Sequence, residues 1–318
     1  MKVTVSAPGK IHLMGEHAVV HGAPALLAAI DKRIYVTVSF TGHNEGKENI
    51  QIVSTETDDY IRQVVQIAGE KLGVHDMPHL VISVNSDIPA GYHLGSSAAV
   101  AVAVTGALMY ILKKIWNPVR INEIAYEAEQ LKHGNPSGGD NTAVTFGGFL
   151  WFRKELEFLK SMWQLPFRTA DSLTRFYVID TGRPLETMGE MVAHVAARVK
   201  KHPKKFRSVI YQNEIQTKRL TRAIKEGNEK ELVDSIRAGQ RTLEAMDAVS
   251  KYAKTFVRAV EKTGGAAKIL GGGGRKAGVG YLLCYHARPG LLKEFLERFT
   301  TDLTPVRLGE EGVRLEKD

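Results

Sequence analysis

The chain has 318 residues, of which 43% are hydrophobic and 25% charged, close to the globular average. That composition excludes a disordered, collagenous or coiled-coil chain. Its 43 basic side chains exceed 35 acidic ones, a net charge of +8, which favours anionic partners without choosing among nucleotides, nucleic acids and acidic metabolites. The one cysteine, Cys284, excludes an intrachain disulfide framework and any CxxC metal or redox motif. The opening MKVTVSAPGK lacks the apolar core of a signal peptide. The longest apolar stretch, Ala98 to Leu112, reads as too short for a membrane span and is interrupted by Thr105 and Gly106. The expectation is a cytoplasmic protein.

Residues 2–6 alternate, Val3 and Val5 against Thr4 and Ser6, which predicts a strand ending at Ala7-Pro8-Gly9. Ile34–Phe40 and Ile50–Val53 read as strands separated by the turn-rich TGHNEGKEN, and Leu80–Val84 as a short strand leading into Asp87-Ile88-Pro89. Ala98–Val104 (AAVAVAV) is ambiguous. Its period of two suits a strand, whereas small side chains following Gly95-Ser96-Ser97 suit a closely packed buried helix. Apolar positions 121, 124, 125, 128 and 131 predict a helix that ends at HGNPSGGDN, and Phe146–Phe152 predicts a returning strand. The second half changes character. Phe176–Ile179 is strand-like, and Glu186–Lys262 carries long helical patterns broken at His202-Pro203 and Glu226-Gly227-Asn228. Lys268–Leu270, Gly280–Cys284, Pro305–Leu308 and Gly312–Leu315 predict short strands, with a helix at Leu291–Phe299. Strands and helices intermixed in both halves predict an α+β fold of two domains, 1–168 and 169–318.

Three glycine-bearing segments and one carboxylate stand apart. In the first, residues 6–26, Lys10 follows Pro8-Gly9 and reads either as a strand-end side chain reaching a cleft or as a surface lysine after a turn. His17 and His21 have the spacing of a helical metal pair, but no catalytic glutamate lies between them. In the second, residues 89–99, a helix beginning at Gly95-Ser96-Ser97 would gather unpaired N–H groups and a positive dipole end around one concavity, as an anionic phosphate needs. A capped, buried helix without a ligand fits the same residues. The third, Gly264 to Lys276, contains four consecutive glycines at 271–274, whose entropic cost demands a structural or functional need. Its GxGxxA match precedes a strand-like VGYLLCY, against a dinucleotide fold, and the absence of GxxxxGK[ST], HRD and DFG argues against P-loop NTPases and protein kinases. Asp140 lies in a Gly/Pro-rich stretch where aspartate often serves turn chemistry alone. Glu129, beside apolar positions 125 and 128, is placed to point inward, where a carboxylate needs a partner or a metal.

Taken together, in order and spacing, these segments resemble the GHMP kinase superfamily (galacto-, homoserine, mevalonate and phosphomevalonate kinases) from about Ser6 onward. Within it, GEHAVVHG at 15–22 and HGNPSGGDNTAVTFGG at 133–148 are similar to mevalonate kinase motifs, where a galactokinase shows GEH followed by Thr-Asp-Tyr. The resemblance implies an N-terminal domain like domain 2 of ribosomal protein S5, a ferredoxin-like C-terminal domain and an active site between them. It resolves Ala98–Val104 as helix. It also implies ATP and Mg²⁺ as cofactors and mevalonate as acceptor, with neither nucleic acid nor membrane as partner and a homodimer left open. Carried over residue by residue, Asp140 is the base and Lys10 its electrostatic partner. Ser97, favoured over Ser96, and Glu129 match the Mg²⁺ ligands. Glu16, His17 and Gly272 join Lys10 and Asp140 around the acceptor. Pro89, Gly91, His93, Leu94, Gly95, Ser96, Ser97 and Ala98 match the ATP-phosphate segment. The sequence departs from the family in three places. His93 replaces the first glycine of GLG, either obstructing the phosphate loop or adding a donor to it. Gly139 replaces an apolar residue, and the third motif carries Leu270 for threonine, with Arg275-Lys276 where small residues are expected. Three alternatives accompany this reading: a kinase of phosphomevalonate or another related acceptor, an impaired pseudokinase, and a non-catalytic nucleic-acid-binding protein. The last lacks aromatic-basic interleaving.

Overall fold

A computed structural model describes residues 2–41, 49–54, 58–89, 91–133, 136–156 and 159–317. Most of the turn expected at TGHNEGKEN, and Gly134-Asn135 of HGNPSGGDN, lie outside these residues. Strand β1 (Lys2–Met14) does not end at Ala7-Pro8-Gly9. It runs on, antiparallel to β2 (Pro24–Phe40), and a register shift between Pro8 and Gly9 accommodates the residue that cannot donate to the ladder. β2 likewise begins ten residues before the expected Ile34. There follow β3 (Ile50–Ser54), α1 (Asp58–Lys71), β4 (Leu80–Ser86), α2 (Ser96–Lys113), α3 (Pro118–His133), α4 (Gly139–Phe146), β5 (Phe149–Lys154) and β6 (Lys160–Leu165). Phe146 is therefore the last residue of a helix, and the return strand starts only after the positive-φ turn Gly147-Gly148.

The second half contains β7 (Phe176–Asp180), α5 (Met188–Lys201), α6 (Pro203–Glu226), α7 (Glu229–Ala245), α8 (Lys251–Lys262), β8 (Ala266–Ile269), β9 (Tyr281–Tyr285), α9 (Lys293–Glu297), β10 (Leu303–Pro305) and β11 (Arg314–Leu315). Pro203 starts α6, and Gly227 in a left-handed conformation with the Asn228 side-chain cap divides α6 from α7, at the breaks the sequence marks. A further break between α7 and α8 carried no glycine or proline; Ser250 caps α8 by accepting from the Ala253 N–H. The strand expected at Pro305–Leu308 lies instead at β10, and that at Gly312–Leu315 shrinks to β11.

The strands form two sheets. One is seven-stranded, with a path β11-β1-β2-β4-β3 and with β5 on β2 and β6 on β5; the other is β10-β7-β9-β8. The central layer on the first sheet is α2, a helix despite its alternating pattern. It packs against β1, β2, α1, α3 and α4, so apolar residues face every direction and no period survives. Among the described residues it is the one helix long and apolar enough to cross a membrane by length and composition, longer than the sequence reading allowed, and it is mostly buried in the core. The closing segment returns to the first sheet. Buried Arg33 donates to the carbonyls of Glu311 at 2.8 Å and Gly312 at 2.7 Å and to Ser6 Oγ at 2.8 Å, fastening β11 beside β1.

Candidate active site

β1 passes beneath the tip of α2. The Lys10 N–H donates to the Leu94 carbonyl at 2.8 Å. Gly95, at the N-cap with φ 80°, leaves room for the lysine stem, since a Cβ there would stand 2.9 Å from Lys10 Cγ. Lys10 is thus a mid-strand residue rather than one at a strand end, and its ammonium lies 3.0 Å from Asp140 Oδ2. Asp140 is not in a loop. Gly138, with φ 80°, caps α4 and places Asp140 in its first turn, where the helix dipole favours a carboxylate.

His12, two residues along from Lys10 and so on the same strand face, puts Nε2 3.7 Å from Asp140 Oδ1. Burial works against ionisation of Asp140, but the Lys10 charge and His12 prevail and hold its carboxyl well below the usual range. The carboxylate still presents 41% of its side chain to the cavity, so it is charged and reachable.

That cavity has a volume of about 820 Å³. Lys10, His12 and Asp140 line it together with Pro89, Gly91, His93, Leu94, Gly95, Ser96 and Ser97 from the approach to α2. Glu129, Glu16, His17 and Gly272 also line it, whereas Ala98 is buried inside α2 and does not. Ser97 Oγ donates to Glu129 Oε2 at 3.2 Å, and the Tyr60 hydroxyl donates to Oε1 at 2.5 Å. Burial and the Glu129 charge push the Tyr60 phenol far up, keeping it a neutral donor. His17 Nε2 meets the Gly272 carbonyl at 2.9 Å, and burial lowers its basicity. His21 does not line the cavity, and no three metal-capable side chains cluster among the described residues.

His93 adopts φ 62°. Its ring packs on Gly271, where a Cβ would come within 2.7 Å of His93 Cβ. Burial first, and then the Lys10 charge, push the imidazole down to about 4, so it is neutral at pH 7. Glu16 is paired with Lys268 of β8, whose ammonium is lowered by burial against the opposing pull of Glu16. Arg275 turns away from the cavity. Its Nε lies 3.2 Å from Asp247 Oδ2 and its N–H donates to Glu186, and neither Arg275 nor Lys276 is a lining residue. Sequence reasoning missed His12, Tyr60 and Lys268, along with the lining lysines 132, 154 and 160. Only His12 had a local signal, its alternation with Lys10, which the expected strand end concealed.

Residues 59–148 match the family described as GHMP kinases N terminal domain, and residues 2–40 match the galactokinase galactose-binding signature. The mevalonate kinase of Thermococcus onnurineus is 30% identical to this chain, over 100% of it and 99% of the relative. The chain belongs to the GHMP kinases. It is therefore a kinase enzyme, and family membership implies use of ATP. Two solved structures share its fold. The Methanococcus jannaschii mevalonate kinase has a TM-score of 0.81 at 19% identity, covering 98% of this chain and 99% of that one. The Leishmania major enzyme, solved in complex with R-mevalonate, has a TM-score of 0.80 at 20% identity, with 96% of each chain covered. The GHMP kinase fold expected from the motifs is the fold observed.

Proposed function

We propose that this GHMP kinase transfers the γ-phosphoryl group of ATP to the primary hydroxyl of mevalonate, giving 5-phosphomevalonate. The observation that carries the proposal is the Lys10–Asp140 pair, 3.0 Å apart beneath the N-terminus of α2 and open to one cavity. The hydroxyl oxygen attacks the γ-phosphorus, its proton passes to Asp140, and the bond to the bridging oxygen of ADP breaks. So acidic a carboxyl is a weak base, which suffices because a loose phosphoryl-transfer transition state asks for little early proton removal and much positioning. Lys10 keeps Asp140 ionised and offsets charge on the transferring group. The N–H groups opening α2 are oriented to receive the phosphates. In this reading residues 1–168 supply the catalytic wall and residues 169–318, apart from the closing segment that returns to the first sheet, the facing one, through Met188, Gly271 and Gly272.

Ser97 Oγ and the Glu129 carboxylate, 3.2 Å apart, are hard oxygen donors. They fit Mg²⁺ that brings phosphate and water ligands of its own, rather than an ion caged by protein. Bound there, the ion supplies neutralisation of phosphate charge. Support for mevalonate comes from the relatives over the full chain and from GEHAVVHG, whose Glu16 and His17 both line the cavity. An ADP-release assay with Mg·ATP and a panel of acceptors tests the reading: turnover on mevalonate is expected, and turnover on phosphomevalonate without mevalonate overturns it.

A further inference from the structure

Lys268 takes no part in this chemistry, yet it sits fully buried on β8, an expensive location for an ammonium. It donates to the Glu16 carboxylate, to the His12 carbonyl at 3.2 Å and to the Ile269 carbonyl at 2.6 Å. Two of these partners belong to β1 and the turn after it, so a side chain from the second sheet fixes the strand that carries Lys10. Glu16 is only 3% exposed and lines the cavity, and its second oxygen, Oε2, is buried with no hydrogen-bond partner. An unmatched buried acceptor is costly, and a donor arriving with a ligand would relieve that cost.

We propose that Lys268 is a positioning residue for the acceptor substrate, cancelling the Glu16 charge and fixing the carboxylate so that Oε2 accepts a hydroxyl from an anionic hydroxy acid. The inference rests on the acceptor reading above and adds the physical reason a glutamate belongs there. An unpaired carboxylate would repel a substrate that carries one of its own, at the short separations of a closed site. A neutralised one keeps its hydrogen-bonding oxygen and loses the repulsion. Lining lysines 132, 154 and 160 give the same cavity a positive balance that suits an anionic acceptor.

The test is steady-state ADP release, with acceptor and ATP varied separately. The acceptor is whichever anionic hydroxy compound of the panel the wild type turns over. Lys268→Met is expected to raise the acceptor KM about tenfold or more while the ATP KM changes less than about twofold. Lys268→Met combined with Glu16→Gln removes the stranded charge and is expected to recover most of that loss. A merely structural strut would move both KM values together and gain nothing from the second substitution, and either result overturns the proposal. If Lys268→Met does not fold, Lys268→Arg decides: acceptor KM within about threefold of wild type supports the charge argument, and a tenfold rise refutes it. A wild type that ignores mevalonate but uses another such acceptor refutes the mevalonate reading and leaves this test standing.

Discussion

Replacing His93 with glycine probes the proposed phosphate segment at its departure from the family. The unfolded imidazole titrates near 6.5, whereas in the fold burial and the neighbouring Lys10 charge push it down to about 4. Between those values the unfolded chain binds a proton that the native one does not. Stability from this group is therefore complete above 6.5, falls as pH drops through the window, and levels off below about 4. At about 1.36 kcal/mol per pH unit the window amounts to about 3 kcal/mol, and solvent screening from the cavity side reduces the expected effect to about 2 kcal/mol. Glycine removes the titration and also the Cβ penalty of φ 62°, about 1 kcal/mol. Urea unfolding of both proteins at pH 7.5, 6.5, 5.5 and 4.5 reads the difference, since all other histidines are shared. The advantage of His93→Gly should grow by about 2 kcal/mol on acidification, and a difference independent of pH would refute the reasoning. ATP affinity at pH 7.5 then separates the two roles left open for this residue. A neutral ring that donates to phosphate predicts weaker binding in the variant, and tighter binding would identify the ring as an obstruction.

Asp140→Asn keeps the shape beside Lys10 but loses the proposed proton acceptor, so kcat should fall at least about a hundredfold, or about 2.7 kcal/mol, with ATP affinity little changed; near-normal kcat would remove Asp140 from its proposed role. Gly95→Ala forces a left-handed alanine and drives a methyl to 2.9 Å from Lys10 Cγ. The displaced ammonium should cost about tenfold or more in kcat, and an unaffected rate would show that Lys10 is not held by the tip of α2. Glu129→Gln leaves the Tyr60 contact in place but removes the charge facing Ser97. The Mg²⁺ concentration for half-maximal rate should rise about tenfold, and an unchanged Mg²⁺ requirement would assign the ion elsewhere.

Many residues that line the cavity could be named from the sequence because Gly95, Glu16, His17 and Asp140 stand in long motifs that resemble a known family; read singly, Lys10 and Asp140 also fitted a surface lysine and a turn residue. The backbone beneath them was less legible. Pro8-Gly9 reads locally as a turn, yet pairing with β2 continues past it and a register shift absorbs the missing donor. HGNPSGGDN reads as a loop, yet Gly138 supplies the left-handed residue from which α4 starts. Alternation in AAVAVAV misleads for a physical reason, because a helix covered on all sides needs no polar face. Tyr60 and Lys268 left no trace at all. Their partners lie 69 and 252 residues away, and no local pattern encodes a contact at that range.

If Asp140 is the base proposed above, the pairing of a strand with a helix start explains how so weak a base would serve. Lys10 and His12 project from one face of β1 and are both in register with β2, opposite Ala29 and Leu27, which restricts their Cα positions. Asp140 meets them from the first turn of α4, a helix whose end is itself held by the returning tail through the Val313 N–H on the Thr145 carbonyl at 3.1 Å. Each device that steadies the carboxylate also stabilises its charge, so precision of placement and basicity oppose one another here. For proton abstraction early in a reaction that trade would be ruinous. For phosphoryl transfer it is favourable, because the hydroxyl becomes strongly acidic only as its bond to phosphorus forms, and what must already exist at that moment is an acceptor in the right place.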